Sequence, residues 1–398
     1  MTPPPSPRGT ILTVTLNLAL DVTYTADGVD WDGVNRVRAV HRRAGGKGVN
    51  VARVLARLGR DVLVTGLSGG ATGLAAEADL AAAGLPAALT RIAGESRTTL
   101  AVRDLAPAGP RTAPYGEPGA PPPHGRVSAS RTALFNEPGP VVSAGELAAF
   151  LDGFDTRLGS AAAVVVSGSL PPGVPAGFYA VLAARARDRG VPVIVDADGE
   201  ALRNAPAGRP AIVKPNAEEL ARALAGAGSG SAAPAAPGWT VRGGRAAHDR
   251  RTVRDGYTAH DRQTMRDGHI AHDGQAVRDP HREEDAHQAA LRGAEELRRA
   301  GAGAVVVSLG AGGLLAATAE GSWRAAMPYR VEGNPTGAGD ALVAGLALGL
   351  VEGTPWPERL RLAAALGAAA VAVPVAGDVD PEVLRAVRPR IRVEPAAP

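Results

Sequence analysis

The 398-residue chain has no cysteine, only two lysines among its 43 basic residues, and aromatic side chains at only 3% of positions. Without cysteine there is no disulfide framework, no thiolate nucleophile and no Cys-ligated zinc, which suits a reducing compartment such as the cytoplasm. Long apolar runs are also missing. The most apolar stretch, Leu360 to Val375, is mostly alanine and is broken by Gly367 and Pro374, so it reads as a buried helix and not as a membrane span. Met1 to Thr10 is proline-rich without an apolar segment; it is no signal peptide, and residues 1–10 are expected to be disordered. Basic and acidic residues nearly balance, at 43 against 40, and no Lys- or Arg-rich tract points to a nucleic-acid partner. The scarcity of lysine is itself a clue. Arginine has been used wherever either cation would serve, so Lys47 and Lys214 are the places where a compact ammonium matters.

What is present is an ordinary globular composition, 45% hydrophobic and 21% charged. Short β-branched runs alternate with Ala/Leu/Arg stretches. Strands are predicted at Ile11–Leu16, Val62–Leu67, Val164–Ser167, Val191–Asp196, Ile212–Lys214 and Val305–Leu309. Helices are predicted at Val49–Leu58, Leu74–Ala83, Ala144–Leu158, Ala176–Arg189, Ala217–Leu224, His287–Ala300, Asp340–Leu350 and Pro357–Ala372. Fully apolar strands alternating with helices predict a doubly wound α/β domain with a parallel sheet covered on both faces.

Two regions depart from that rhythm. Residues 17–44 and 95–137 carry alternating patterns, such as Arg36 to Val40 and Thr98 to Val102, and predict a small second sheet over a cleft. Pro107 to Gly125 reads as a loop inside the second region. Residues 226–285 are polar, and a twelve-residue unit recurs from Thr240, Thr252 and Thr264, each copy holding one of His248, His260 and His272. The repeat is too short to be a solenoid unit, and the composition predicts a disordered insertion and not a histidine metal site. The folded domain is thereby expected to span 11–225 and 286–392.

Four segments carry chemistry. In Asn334-Pro335-Thr336-Gly337-Ala338-Gly339-Asp340 small residues precede an apolar helix. The free N–H groups of Gly337, Ala338 and Gly339 at a helix start make an anion hole, and Asp340 can take a proton from a hydroxyl. Asp340 equally fits a helix cap. In Gly45-Gly46-Lys47-Gly48-Val49-Asn50 the glycines admit a ligand, Lys47 reaches an anion and Asn50 can bond hydroxyls; the spacing of a Walker P-loop is absent. Lys214-Pro215-Asn216-Ala217-Glu218-Glu219 follows a strand end: Asn216 and Glu219 suit either a capping box or a hydrated Mg²⁺, and both can hold at once. Ser308-Leu309-Gly310-Ala311-Gly312-Gly313 follows an apolar strand but precedes another strand, so it is no dinucleotide fingerprint and reads as a tight nucleotide-facing turn.

Together these residues resemble the PfkB, or ribokinase-like, carbohydrate kinases: GGKGVN and TGAGD match the two family signatures in the expected order. Asn17-Leu18-Ala19-Leu20-Asp21, the Asn136-Glu137-Pro138-Gly139-Pro140 element, Ser167-Gly168-Ser169-Leu170-Pro171-Pro172-Gly173 and the Lys214 segment look like the branch that phosphorylates sugars already carrying a phosphate. That branch comprises 1-phosphofructokinase, tagatose-6-phosphate kinase and the minor 6-phosphofructokinase. Leu18 and Thr99 depart from its usual Pro and Asn. The resemblance implies a ribokinase-like three-layer fold with a β-sheet lid, and a cytoplasmic enzyme of fructose metabolism and glycolysis. It also implies use of ATP and Mg²⁺, and a homodimer formed through the lid. The implied reaction is phosphorylation of D-fructose 1-phosphate to fructose 1,6-bisphosphate. Alternatives are tagatose 6-phosphate or fructose 6-phosphate as substrate, a neutral sugar or nucleoside, or a non-catalytic sugar-phosphate sensor. By the same resemblance Asp340 is the general base, and Asp21, Gly45, Gly46, Lys47, Asn50, Arg97 and Ser169 bind the sugar phosphate. Lys214, Asn216, Ser308, Gly310 and Gly313 face ATP, and Glu219 holds Mg²⁺ through water.

Overall fold

The computed structural model describes residues 9–105, 131–225, 280–327 and 330–396. The chain starts with β1 (Thr10–Thr15), leaves for the lid through β2 (Ala19–Ala26) and β3 (Ala39–Gly45), and returns through α1 (Lys47–Arg57), β4 (Val62–Ser68), α2 (Gly70–Ala82) and β5 (Ala87–Arg91). The strands β6 (Arg97–Asp104) and β7 (Arg131–Asn136) complete the lid. There follow α3 (Ala144–Leu158), β8 (Ala161–Ser167), α4 (Phe178–Arg187), β9 (Val193–Asp196), α5 (Gly199–Asn204), β10 (Ile212–Val213) and α6 (Ala217–Ala225). The last third holds α7 (Pro280–Arg299), β11 (Ala304–Ser308), β12 (Leu314–Thr318), β13 (Gly321–Ala326), α8 (Ala338–Val351), α9 (Trp356–Val371), α10 (Pro381–Val387) and β14 (Arg392–Pro395).

The central sheet runs β14-β13-β12-β11-β10-β9-β8-β1-β4-β5. It is parallel from β11 to β5 and antiparallel from β11 through β14. Alternation along the strands feeds two cores. Ile11, Val165, Ile194 and Val306 face α1, α8 and α9, whereas Leu12, Val14, Val166 and Val307 face α3, α4 and α7. The predicted three-layer α/β architecture is therefore present. Close helix packing explains the alanine and glycine richness: a Cβ at Gly345 of α8 would lie 2.6 Å from Ala363 Cα of α9. The Leu360–Val375 stretch forms most of α9, and among the described residues no helix is long and apolar enough to cross a membrane.

The second sheet has the order β3-β2-β6-β7, with β2 and β6 parallel and the outer pairs antiparallel. Thr98–Val102 lies within β6 as predicted, but the strand expected from Arg36 begins only at Ala39. The cause is local: Asn35 Nδ2 donates to Asp30 O (2.6 Å), and its Oδ1 accepts from Asp30 N–H (2.8 Å). This side chain closes its own loop and competes with ladder bonds. Helix α7 begins at Pro280, ahead of the boundary drawn at 285; proline needs no N–H acceptor in a first turn. The rest of the repeat insertion, the Pro107–Gly125 loop and residues 1–8 lie outside the described residues. Thr10, placed in the N-terminal tail by sequence, already belongs to β1.

Candidate active site

Strand order reverses between β1 and β8. From β1 the chain builds outward to β4 and β5; from β8 it builds the other way through β9, β10 and β11. Loops leaving the C-terminal ends of these strands diverge and open a crevice there. A cleft of about 1750 Å³ occupies this position under the lid. It is lined by Asp21, Gly46, Lys47, Asn50, Arg97, Ser169, Lys214, Asn216, Glu219, Ser308, Gly310, Gly313, Gly337, Ala338, Gly339 and Asp340. Gly45 is not among the lining residues. It is buried at the end of β3, where a Cβ would collide with the Asp21 carboxylate, so it serves strand packing.

Asp340 sits in the first turn of α8. Its lead-in is pinned by Asn334, whose N–H donates to Val371 O (2.8 Å), whose Nδ2 donates to Pro374 O (3.0 Å) and whose Oδ1 accepts from Thr336 N–H (3.1 Å). Pro335 to Ala338 then form a type II turn, with Gly337 at φ 86°, ψ −4° and Ala338 N–H donating to Pro335 O at 3.2 Å. That bond removes Ala338 from the expected anion hole. Among the described residues the N–H groups of Gly337, Gly339 and Asp340 have no backbone acceptor, and they form the donor set at the helix start. Asp340 does not cap the helix; its Oδ2 accepts from Asn50 Nδ2 at 2.8 Å. Burial, with the nearby Asp196 charge, pushes its carboxyl up to about 7, against the pull of Lys47, Asn50 and Lys214.

Both lysines meet one carboxylate. Lys214 Nζ lies 3.1 Å and Lys47 Nζ 3.6 Å from Asp196, which is fully buried at the end of β9 and also accepts from Ser167 Oγ at 3.0 Å. Burial opposes the charge of Asp196, but Lys214 and Lys47 outweigh it and hold the carboxyl below its usual range. Lys47 also stands 3.5 Å from Glu219 Oε1, and Asp196, against the cost of burial, keeps its ammonium well above the ordinary range. The resemblance puts Lys47 with the sugar phosphate and Lys214 with ATP, yet their head groups converge on this one carboxylate. Glu219 and Asn216 do form the capping box: Asn216 N–H donates to Glu219 Oε2 (2.7 Å), and Glu219 N–H to Asn216 Oδ1 (2.8 Å). Asn216 bridges to Ser308, which leads into the Gly310–Gly312 turn. Beyond it Leu314, Met327, Leu342, Ala364, Ala368 and Val371 give that end of the cleft an apolar wall. Among the described residues no three His, Asp or Glu side chains converge as a metal cage.

The lid supplies the other end. Asp21 of β2 pairs in register with Thr99 of β6 and Arg43 of β3. Burial raises its carboxyl, and Arg97, a hydrogen bond from Thr99 and Arg43 offset part of that. Thr99, a departure from the branch pattern, therefore has a partner. Arg97 donates through Nε to Asn17 O (3.2 Å) and through one terminal nitrogen to Glu137 O (3.2 Å). Ser169 Oγ accepts from Asn17 Nδ2 at 3.0 Å. Gly46, at φ 103° with Thr15 Cγ2 2.6 Å from where a Cβ would stand, lets the chain pass from lid to α1. Sequence reasoning missed Asp196. Its signal was an acidic residue ending a wholly apolar strand, which is seldom left buried without a cation.

A parallel sheet with a β-lid over a helix N-terminus, a buried carboxylate and paired ammonium groups defines a ribokinase-like phosphotransferase. Solved structures share the fold. Escherichia coli phosphofructokinase-2 in complex with potassium superposes at TM-score 0.71 with 24% identity, over 96% of this chain and 99% of that one. A possible 1-phosphofructokinase from Thermotoga maritima gives 0.68 and 23%, over 98% and 100%. Arabidopsis thaliana ribokinase complexed with ribose and ATP gives 0.59 and 17%, over 96% and 99%. A family model described as pfkB family carbohydrate kinase matches residues 14–122 and 275–382, and the chain belongs to that family. It is a carbohydrate kinase.

Proposed function

We propose that this kinase phosphorylates a sugar that already carries a phosphate, with D-fructose 1-phosphate as the first candidate and Asp340 as the general base. The observation that carries the base assignment is a buried carboxylate at the start of α8, fixed by Asn50 and raised to about 7, where it can both lose and accept a proton near neutral pH. Phosphoryl transfer needs positioning and charge stabilisation more than covalent chemistry. ATP supplies the phosphoryl group; Gly337, Gly339 and Asp340 N–H groups and the Lys47 and Lys214 ammoniums stabilise its charge, while Asp340 takes the hydroxyl proton. Asp21 and Asn50 orient sugar hydroxyls. Arg97 and Ser169 hold the resident phosphate at the lid end, which supports a phosphorylated substrate over a neutral one. Lys47, engaged with Asp196 and Glu219, belongs to the transfer side in this reading.

Glu219 lines the cleft with Oε1 3.5 Å from Lys47 Nζ; it would hold Mg²⁺ through water, and the ion would supply charge neutralisation there. Exposed Val40, Leu134 and Phe135 on the lid support dimerisation through it. A cytoplasmic location is consistent with the lack of cysteine. The test is kcat/KM, read by ADP release, for fructose 1-phosphate, fructose 6-phosphate, tagatose 6-phosphate and unphosphorylated fructose. Fructose 1-phosphate should lead. A neutral sugar preferred over all three phosphates would sink the reading.

A further inference from the structure

Asn17 lies where the chain leaves β1 for the lid and is 4% exposed. It touches three separate segments. Its Nδ2 donates to Pro138 O at 3.0 Å, just after lid strand β7, and to Ser169 Oγ at 3.0 Å in the loop after β8. Its backbone oxygen accepts from Arg97 Nε at 3.2 Å. The carboxamide is also boxed in: a Cβ at Gly139 would collide with Asn17 Oδ1. From below, the buried Tyr179 hydroxyl donates to Gly168 O at 3.1 Å and steadies the Ser169 loop.

These contacts have a chemical consequence. A serine hydroxyl offers one proton and two acceptor sites. With one acceptor site filled by the Asn17 amide, the Ser169 proton remains free to point at an anion. The same residue anchors the Arg97 guanidinium through its backbone. We infer that Asn17 is a positioning residue for recognition of the substrate's own phosphate, holding Ser169 as a donor and Arg97 in place while clipping the lid to the body. This rests on the reading that the substrate is phosphorylated.

Asn17→Asp keeps the shape but can only accept, so it repels Pro138 O, draws the Ser169 proton to itself and adds a negative charge. Asn17→Ala removes both side-chain bonds, to Ser169 and to Pro138, and keeps the backbone acceptor of Arg97. The measurement is KM for fructose 1-phosphate and for ATP in wild type, Asn17→Asp, Asn17→Ala, Ser169→Ala and the Asn17→Ala/Ser169→Ala double variant. Losing a hydrogen bond to a charged group should raise KM for the sugar phosphate about tenfold or more in Asn17→Asp, and less in Asn17→Ala, with KM for ATP within about twofold. In the Ser169→Ala background, Asn17→Ala should add little, because the two act through one hydroxyl. Ser169 is exposed, so its variant keeps the fold, and the alanine cycle decides the matter should Asn17→Asp fail to fold. Equal changes in both KM values, or fully multiplicative effects in the double variant, overturn the inference. A wild-type enzyme that prefers unphosphorylated fructose overturns the functional reading and the inference together.

Discussion

Replacing Asp340 with asparagine separates two consequences of one buried carboxylate. The amide oxygen can still accept from Asn50, so the site keeps its shape. Burial, aided by Asp196, raises the Asp340 carboxyl from 3.8 to about 7. A folded-state pKa above the unfolded one favours folding fully below the unfolded value, and that contribution is lost as pH rises through the folded value. A gap of about 3 pH units corresponds to on the order of 4 kcal/mol at 1.36 kcal/mol per unit. The asparagine variant carries no charge and escapes the loss. It should match wild type near pH 4, gain between pH 4 and 7, and melt several degrees higher above pH 8, at roughly 1 °C per kcal/mol for a chain of this size. Its turnover should fall roughly 10²–10⁴-fold, as for loss of a general base. Wild-type kcat/KM should fall tenfold per unit as pH drops below about 7, since the base must be unprotonated. Thermal melts across pH and an ADP-release assay read all three. Equal melting temperatures at pH 8.5, or an acid limb near pH 4, would refute the account of the carboxylate; near-normal turnover would remove Asp340 as base.

Three further substitutions probe the charge cluster. Lys47→Arg and Lys214→Arg keep the charge but bring a planar guanidinium into space built for an ammonium, with Lys214 only 3% exposed; each should cut kcat/KM about tenfold or more, whereas the exposed lid Arg42→Lys should not. Asp196→Asn leaves Lys214 buried without its counter-charge and should lower stability by about 3–5 kcal/mol, read as a shifted denaturant midpoint; an unchanged midpoint would show that the ammonium is not held by this pair.

The parallel body was legible because Val164–Ser167, Val191–Asp196 and Val305–Leu309 are β-branched runs buried on both sides. The edges were not. β5, β13 and β14 are largely exposed or half-buried and carry few β-branched residues, so neither periodicity nor propensity marks them; β13 folds back on β12 as a hairpin, while β14 pairs with β13 from far along the chain. Glycine spacing pointed to the turn before α8, yet which N–H groups stay free depends on turn type: the Ala338 bond to Pro335 follows from Gly337 at positive φ, not from the motif. Likewise Arg36 to Val40 alternates correctly, but Asn35 ties the preceding loop to itself before the ladder can form.

The convergence of the lysines explains more than either position alone. Asp340, Asp196 and Glu219 face Lys47 and Lys214, so with every group ionised the cluster holds one acid too many. Asp196 and Glu219 are each engaged by an ammonium, at 3.1 and 3.5 Å, and no lysine is left for Asp340 alone. Protonating Asp340 brings the set to neutrality, which in a buried setting is the cheaper state. On the proposed mechanism, a negative phosphoryl group arriving beside Lys47 and Lys214 would draw on the same two cations, and the proton affinity of Asp340 would rise as a sugar hydroxyl gives up its proton. Compact ammoniums suit this arrangement because Lys47 stands within reach of two carboxylates at once, which a planar, forked guanidinium would have to meet with a different geometry. In an arginine-rich chain, these are the positions where substitution by arginine would carry a functional cost.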